Sequence, residues 1–430
     1  MDINSYDLPS AKRSRWMYIF ECTFEYFVIM LITGAYLAKL LSNMGIPDAT
    51  VGIISSILSL AFISQLISIF FVQKIKNVKK TVVPIHIIGQ LLFASLYLLP
   101  FLNLPTKVAS LLVGGGLLFG YLCNYSVATI IYKWGNRFVN PAGRASFAAT
   151  KDIIGLSTGM AASLGTSWLF ERICDTKGDH VAFIFLSVLI LIYIVADLIC
   201  LMSMTNVKQE PEERAHTLGV MEVMKMLFSN KSFLCVVCTN ALWYVAIGFY
   251  IGFIGIYEIK DLGMDLTLIA AIGIGSSFMQ MAFSKPIARY TDNRSYARGM
   301  RLGFTIAAAA MLCVVFTTPK TWWMIIVYAL TYSSAMAGVS QNFNNIAFSY
   351  VDAKYYVEAV AIKNSISGIC GFVTSLIGAA ILDAVQKNGN QLFGIKVYGQ
   401  QVLALIAFVI VVFNILFTKF VLEKRPIIAK

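Results

Sequence analysis

Residues 16–41 read WMYIFECTFEYFVIMLITGAYLAKLL. The run is long enough to cross a bilayer as one helix, because a hydrocarbon core of about 30 Å takes roughly 20 residues. Two carboxylates, Glu21 and Glu25, stand one turn apart within it. At about 100° per residue, Tyr18, Glu21, Glu25, Ile32 and Tyr36 share one narrow face. A charged group in a membrane span costs roughly 2.5–3.5 kcal/mol unless it meets protein, water or a counter-ion. The stretch therefore predicts a transmembrane helix whose polar face looks into a protein interior.

The composition extends that reading to the whole chain. Its 430 residues are 58% hydrophobic and 13% charged, whereas soluble domains are about 45–50% apolar and about 25% charged. The fold class expected is an all-α integral membrane protein, and the lipid bilayer is its first partner. The net charge of +12 raises nucleic acid as a partner. The Lys and Arg residues flank apolar spans instead of forming one solvated patch, so no nucleic acid is expected. The start does not read as a cleavable signal peptide: the apolar run exceeds about 7–15 residues, holds two glutamates and lacks a small-x-small site. The eight cysteines lie mostly inside apolar runs. Cys235-x-x-Cys238 has a redox or metal spacing but no second pair nearby, and reads as core packing. No disulfide, cofactor or metal is expected, and the three histidines, His86, His180 and His216, are dispersed along the chain.

Apolar runs of span length recur at about 51–72, 82–102, 108–134, 145–170 and 181–204, then at 233–258, 267–288, 300–318, 322–350, 357–384 and 402–420. With the first, that makes twelve spans. The break between the sixth and seventh is a polar linker with a short amphipathic helix. The domains expected are an N-terminal six-helix bundle over 1–205, a cytoplasmic linker over 206–231 and a C-terminal six-helix bundle over 232–430. Placing Lys12, Arg13 and Arg15 in the cytoplasm puts most Lys and Arg on that side, including Arg289, Arg294, Arg298 and Arg301. Both termini are then cytoplasmic.

The two halves echo each other at a spacing of roughly 212–218 residues. MGIPDATVGI (44–53) matches LGMDLTLIAA (262–271) with one residue deleted, and Asp48 and Asp265 are both placed to N-cap the following helix. AATKDII (148–154) matches AVAIKNSI (359–366), pairing Lys151 with Lys363 and Asp152 with Asn364. Two parallel six-helix halves, cytoplasmic termini and a polar link resemble the major facilitator superfamily (MFS) of secondary transporters. The family's acidic and basic turn after the second span has only its basic part in FFVQKIKNVKK (70–80), where Gln73 replaces the acid, while PIARYTDNRSYAR (286–298) keeps Asp292. On the fifth span Gly155, Gly159 and Gly165 echo the glycine run of proton-driven exporters without its proline; Gly155-x-x-x-Gly159 reads as close helix packing.

The resemblance implies a site near midplane between the halves, lined by spans 1, 4, 7 and 10 with 2, 5, 8 and 11 beside them. The residues it brings forward for solute binding are Asn124, Tyr125, Thr129 and Tyr132, then Asn240, Trp243 and Tyr244, then Gln341 and Asn345 in the polar tenth span, with Lys363 and Asn364 on the eleventh. Amides, hydroxyls and aromatic faces suit a small polar solute such as a sugar or glycoside. For coupling, the candidates are Glu21, Glu25, Lys151 and Asp152. A Glu–Lys contact between the first and fifth spans offsets part of the cost of burying both charges. The same contact serves proton coupling, a purely structural ion pair or a charge that binds solute, and the sequence leaves these open. Asp197 on the sixth span, and His86 with Gln90 on the third, read as packing or cytoplasmic-end residues. The function expected is a monomeric cell-membrane symporter, not an enzyme, working by alternating access with a proton or sodium ion. Proton-driven export of an amphipathic compound or drug is the alternative.

Overall fold

A computed structural model of the chain describes residues 8–66, 77–139, 144–206, 220–351, 355–392 and 395–427. Among these the fold is helical apart from a two-residue antiparallel pair, Gln391–Leu392 with Ile395–Lys396. The first helices are α1 (Pro9–Leu31), α2 (Gly34–Asn43), α3 (Asp48–Ser55) and α4 (Ile57–Ala61). They are followed by α5 (Val78–Leu96), α6 (Thr106–Asn136), α7 (Arg144–Lys177), α8 (Asp179–Ser203) and α9 (Val220–Ser229). Next come α10 (Lys231–Ile256), which runs into a wide turn at Tyr257–Asp261, then α11 (Leu266–Asp292) and α12 (Tyr296–Val315). The last are α13 (Met324–Asn345), α14 (Ala347–Tyr350), α15 (Tyr356–Lys387) and α16 (Gly399–Phe420).

Ten helices of the described residues are long and apolar enough to cross a membrane, so the protein is a multi-pass membrane protein. The remaining two spans expected from the sequence fall on α5 and α13. Helix α5 carries Lys79, Lys80, His86 and Gln90 within its 19 residues, and α13 counts as an apolar helix only over Met324–Ser340.

The opening stretch is not one continuous helix. Pro9 starts α1, where a missing N–H costs nothing. The helix stops at Leu31, and α2 restarts at Gly34, whose φ of +55° favours glycine. The Thr33 hydroxyl donates to the Ile29 carbonyl at 2.9 Å, satisfying one of the carbonyls the break exposes. Ile32 and Tyr36 therefore do not continue the face of Glu21. The Tyr36 hydroxyl instead donates to the Ser163 carbonyl of α7 at 3.3 Å.

The paired caps also differ. Asp265 accepts from the Leu268 N–H at 2.6 Å, as expected of an N-cap. Asp48 lies one residue inside α3, behind Pro47, and makes no cap; its carboxylate accepts from Lys260 Nζ at 2.7 Å and Gln386 Nε2 at 2.8 Å.

The chain divides into two compact units, residues 1–46 with 67–215, and residues 47–66 with 216–430. In the first, α1 packs on α8 and α7, and α5 packs on α6 and α8. Its core includes Tyr18, Val82, Val127, Ile130, Trp134 and Leu201. In the second, α12 lies between α13 and α16, while α10 packs on α15, α16 and α3. Helix α3 reaches α10 at a glycine crossing: a Cβ on Gly252 would stand 2.6 Å from the Gly52 carbonyl oxygen. Residues 207–219 of the expected linker lie outside the described residues, as does the turn holding Gln73, Lys74 and Lys76; residues 220–229 form α9.

Candidate functional site

The first unit brings polar side chains from three apolar helices to one point. Helix α8 packs against both α1 and α5, so Glu21 on α1, His86 and Gln90 on α5 and Asp197 on α8 meet inside it. All four are fully buried, at 0% exposure. His86 Nε2 lies 2.8 Å from Asp197 Oδ2, Gln90 Nε2 donates to the same oxygen at 2.7 Å, and the two nitrogens are 2.8 Å apart. Cys22 Sγ donates to Glu21 Oε2 at 3.2 Å. Glu21 Oε1, His86 Nδ1, Gln90 Oε1 and Asp197 Oδ1 have no hydrogen-bond partner among the described residues. Two carboxylates and one imidazole thus share a volume from which water and lipid headgroups are excluded, where an uncompensated charge is expensive.

Beside this cluster lies a cavity of about 500 Å³. Glu25 and Tyr26 of α1, Tyr125 of α6, and Lys151 and Gly155 of α7 line it, and Cys22 contributes where it turns toward Glu21. A carboxylate and an ammonium from different helices therefore face one space together with a phenol. The sequence expected Gly155 and Gly159 to act alike as packing points, but they do not. A Cβ on Gly159 would fall 2.3 Å from the Tyr26 ring, whereas Gly155 meets open space.

The other expected residues are scattered. Asn124 is buried against α5, its Oδ1 2.9 Å from where a Gly89 Cβ would stand. Neither of its amide atoms has a partner among the described residues. Tyr132 is 59% exposed and outside the cavity lining. In the second unit Trp243 is core, stacked on Phe304 at 5.2 Å and Tyr332 at 6.4 Å. Asn240 is fully buried with both amide atoms unpartnered among the described residues. Tyr244 stands edge-on to Phe62 at 6.0 Å, Asn345 is half-buried, and Asn364 Nδ2 donates to Gln65 Oε1 at 3.2 Å. Lys363 is fully buried. The side chains of Thr129, Asp152 and Gln341 lie outside the described residues.

In the sequence Glu21, His86 and Asp197 of the buried cluster stand 65 to 176 residues apart, and that separation hides their meeting. Taken singly, Asp197 and the pair His86 and Gln90 read as packing or cytoplasmic-end residues, and the three histidines are dispersed along the chain. The signal was present all the same. A carboxylate in α8, a His–Gln pair one turn apart in α5 and Glu21 in α1 are each costly alone, and three such spans of one bundle relieve the cost by meeting.

A family model described as Major Facilitator Superfamily matches residues 16–375. No curated protein matches the chain. Among solved structures, a point mutant of the nucleoside transporter NupG aligns with a TM-score of 0.72 at 12% identity, covering 94% of this chain and 99% of that one. An auto inhibited POT family peptide transporter gives 0.69 at 12% identity, over 95% and 97% of the two chains. A bacterial homologue of the iron transporter ferroportin, in an inward-facing state, gives 0.68 at 10% identity, over 99% and 100%. At these identities the likeness speaks for the fold alone.

Proposed function

Since the chain belongs to the Major Facilitator Superfamily, we propose that it is a secondary transporter moving a small polar organic solute, a sugar or glycoside foremost, by proton-coupled uptake. In this reading the protein is a monomer of twelve spans in the cell membrane with both termini cytoplasmic. It works by alternating access and catalyses no covalent chemistry.

The observation that carries the reading is the cavity shared by Glu25, Lys151 and Tyr125. Its volume of about 500 Å³ lies within the roughly 300–1,000 Å³ of small-molecule sites. Glu25 ionised and Lys151 protonated offset each other's burial. A proton on Glu25 removes that attraction and frees the ammonium for the solute or for a different packing of α7. Tying protonation to one arrangement of the helices is what couples a gradient to transport. The Tyr125 hydroxyl supplies a donor and an acceptor for a hydroxyl-rich solute, and the aromatic faces of Tyr125 and Tyr26 suit its C–H surface.

A second reading, proton-driven export of an amphipathic compound, is favoured by the apolar share of the same lining, Ile29 and Leu156 with Tyr26. Purified protein in proteoliposomes separates the readings when offered labelled sugars and amphipathic cations under imposed pH, sodium or no gradients. Accumulation of a sugar that follows an inward proton gradient supports the proposal. Sugar flux that ignores both gradients sinks the coupling, and cation efflux without sugar flux transfers the function to export.

A further inference from the structure

We propose that Glu21, His86, Gln90 and Asp197 form a buried site for one divalent first-row transition-metal ion within the first unit. The inference concerns an ion and is independent of the solute and of coupling through Glu25 and Lys151.

Charge is the first argument. Ionised, the two carboxylates would carry two negative charges, and a protonated imidazole would cancel only one of them. A divalent cation held by two carboxylates, a neutral imidazole and a neutral amide leaves the cluster uncharged, which is the state a membrane interior favours.

Geometry is the second. His86 Nε2, Asp197 Oδ2 and the Gln90 amide nitrogen stand at the corners of a triangle with edges of 2.8, 2.7 and 2.8 Å. As hydrogen bonds these contacts set the Gln90 and His86 nitrogens 2.8 Å from each other while both approach one carboxylate oxygen. A half-turn of the Gln90 amide, whose ends are nearly isosteric, puts Oε1 at that corner. The three corners then outline one face of a coordination sphere, since ligands about 2.1 Å from a metal and at right angles lie about 3.0 Å apart. Glu21 closes the site from α1: one carboxylate oxygen of Glu21, a ring nitrogen of His86 and an oxygen of Asp197 all lie within 4.8 Å of one another. The unpartnered Glu21 Oε1 is the atom that an ion held by Asp197 Oδ2 and His86 Nε2 would satisfy.

The ligand types narrow the ion. Imidazole with carboxylates and an amide oxygen suits manganese, iron, cobalt or zinc, whereas magnesium and calcium prefer all-oxygen sets. The cavity approaches the site from the α1 side, where Cys22 lines it and is hydrogen-bonded to Glu21.

The test uses tag-free, full-length protein in detergent, stripped with a chelator and titrated with Co²⁺ while its visible d–d bands are recorded. One Co²⁺ per chain, displaced by Zn²⁺, is expected. His86→Ala and Asp197→Asn should each weaken binding at least tenfold, and His180→Ala should leave it unchanged. Wild type that binds no Co²⁺, or His86→Ala that binds as wild type does, overturns the site and leaves a cluster that only shares protons. Should both variants fail to fold, the wild type still decides. A melting temperature that rises with added Zn²⁺, together with one ion per chain by elemental analysis, upholds the site, and the lack of either overturns it.

Discussion

Lys363 Nζ donates to the Phe343 carbonyl oxygen at 2.6 Å and lies 4.2 Å from the centre of that residue's ring. Phe343 is in the last turn of α13, where carbonyls lack an intrahelical partner and the helix dipole is negative. The lysine thus fastens α15 to the end of α13 with a charge-assisted hydrogen bond and a cation–π contact. The sequence had put Lys363 among the solute contacts as the repeat partner of Lys151. Lys151 faces a cavity, and its counterpart closes a helix end.

Lys363→Met keeps the apolar stem and deletes the cation, leaving the Phe343 carbonyl unsatisfied. A cost of about 1–3 kcal/mol is expected, read as a lower melting temperature in detergent with solute affinity within twofold of wild type. A variant that melts as wild type does but no longer binds solute would return Lys363 to the binding site.

Glu25→Gln removes the carboxylate proposed to carry the coupling proton and keeps the shape of the cavity. Accumulation driven by a proton gradient should fall to the level of equilibration, while counterflow exchange of the same solute persists. Both are measured in proteoliposomes loaded with unlabelled solute. Full accumulation by the variant would reassign Glu25 to structure.

Asp48 is 7% exposed and holds two partners, Lys260 and Gln386, whereas the Lys260 side chain is 53% exposed. Asp48→Ala strands the half-buried Gln386 amide and should cost about 1–3 kcal/mol. Lys260→Ala gives up only a largely solvated ion pair, less than about 1 kcal/mol. Thermal melts of the two variants check the order, and a larger loss for Lys260→Ala would contradict it.

What the sequence made legible follows from which physical costs act locally. The price of exposing apolar surface or burying charge is written into each span, so the all-helical membrane fold and the need to shelter Glu21 and Glu25 could be read directly. Partner choice is not local. Nothing in the neighbours of Trp243 says that its ring stacks on Phe304 of α12 instead of facing a solute. Nothing near His86 names Asp197, 111 residues away. The break after Leu31 was missed for a different reason: Ile32 and Thr33 keep the apolar pattern going, and the backbone turn at Gly34 is invisible to periodicity.

Two glycines test how far close packing and the cavity are separable. At Gly252 an added Cβ would stand 2.6 Å from the Gly52 carbonyl oxygen and 2.6 Å from Ser56 Oγ, so backbone must move. Gly252→Ala should therefore destabilise by about 1–3 kcal/mol through overpacking. At Gly159 the obstacle is the Tyr26 ring, 40% exposed and able to swing aside. Alanine also favours a helix over glycine by roughly 0.5–1 kcal/mol, so Gly159→Ala should melt within a few degrees of wild type. Because Tyr26 lines the cavity, the displaced ring should weaken solute binding severalfold. Melting curves and equilibrium binding on both variants give a crossed pattern, stability lost in one and affinity in the other. If Gly159→Ala left affinity untouched, Tyr26 would have no part in holding the solute.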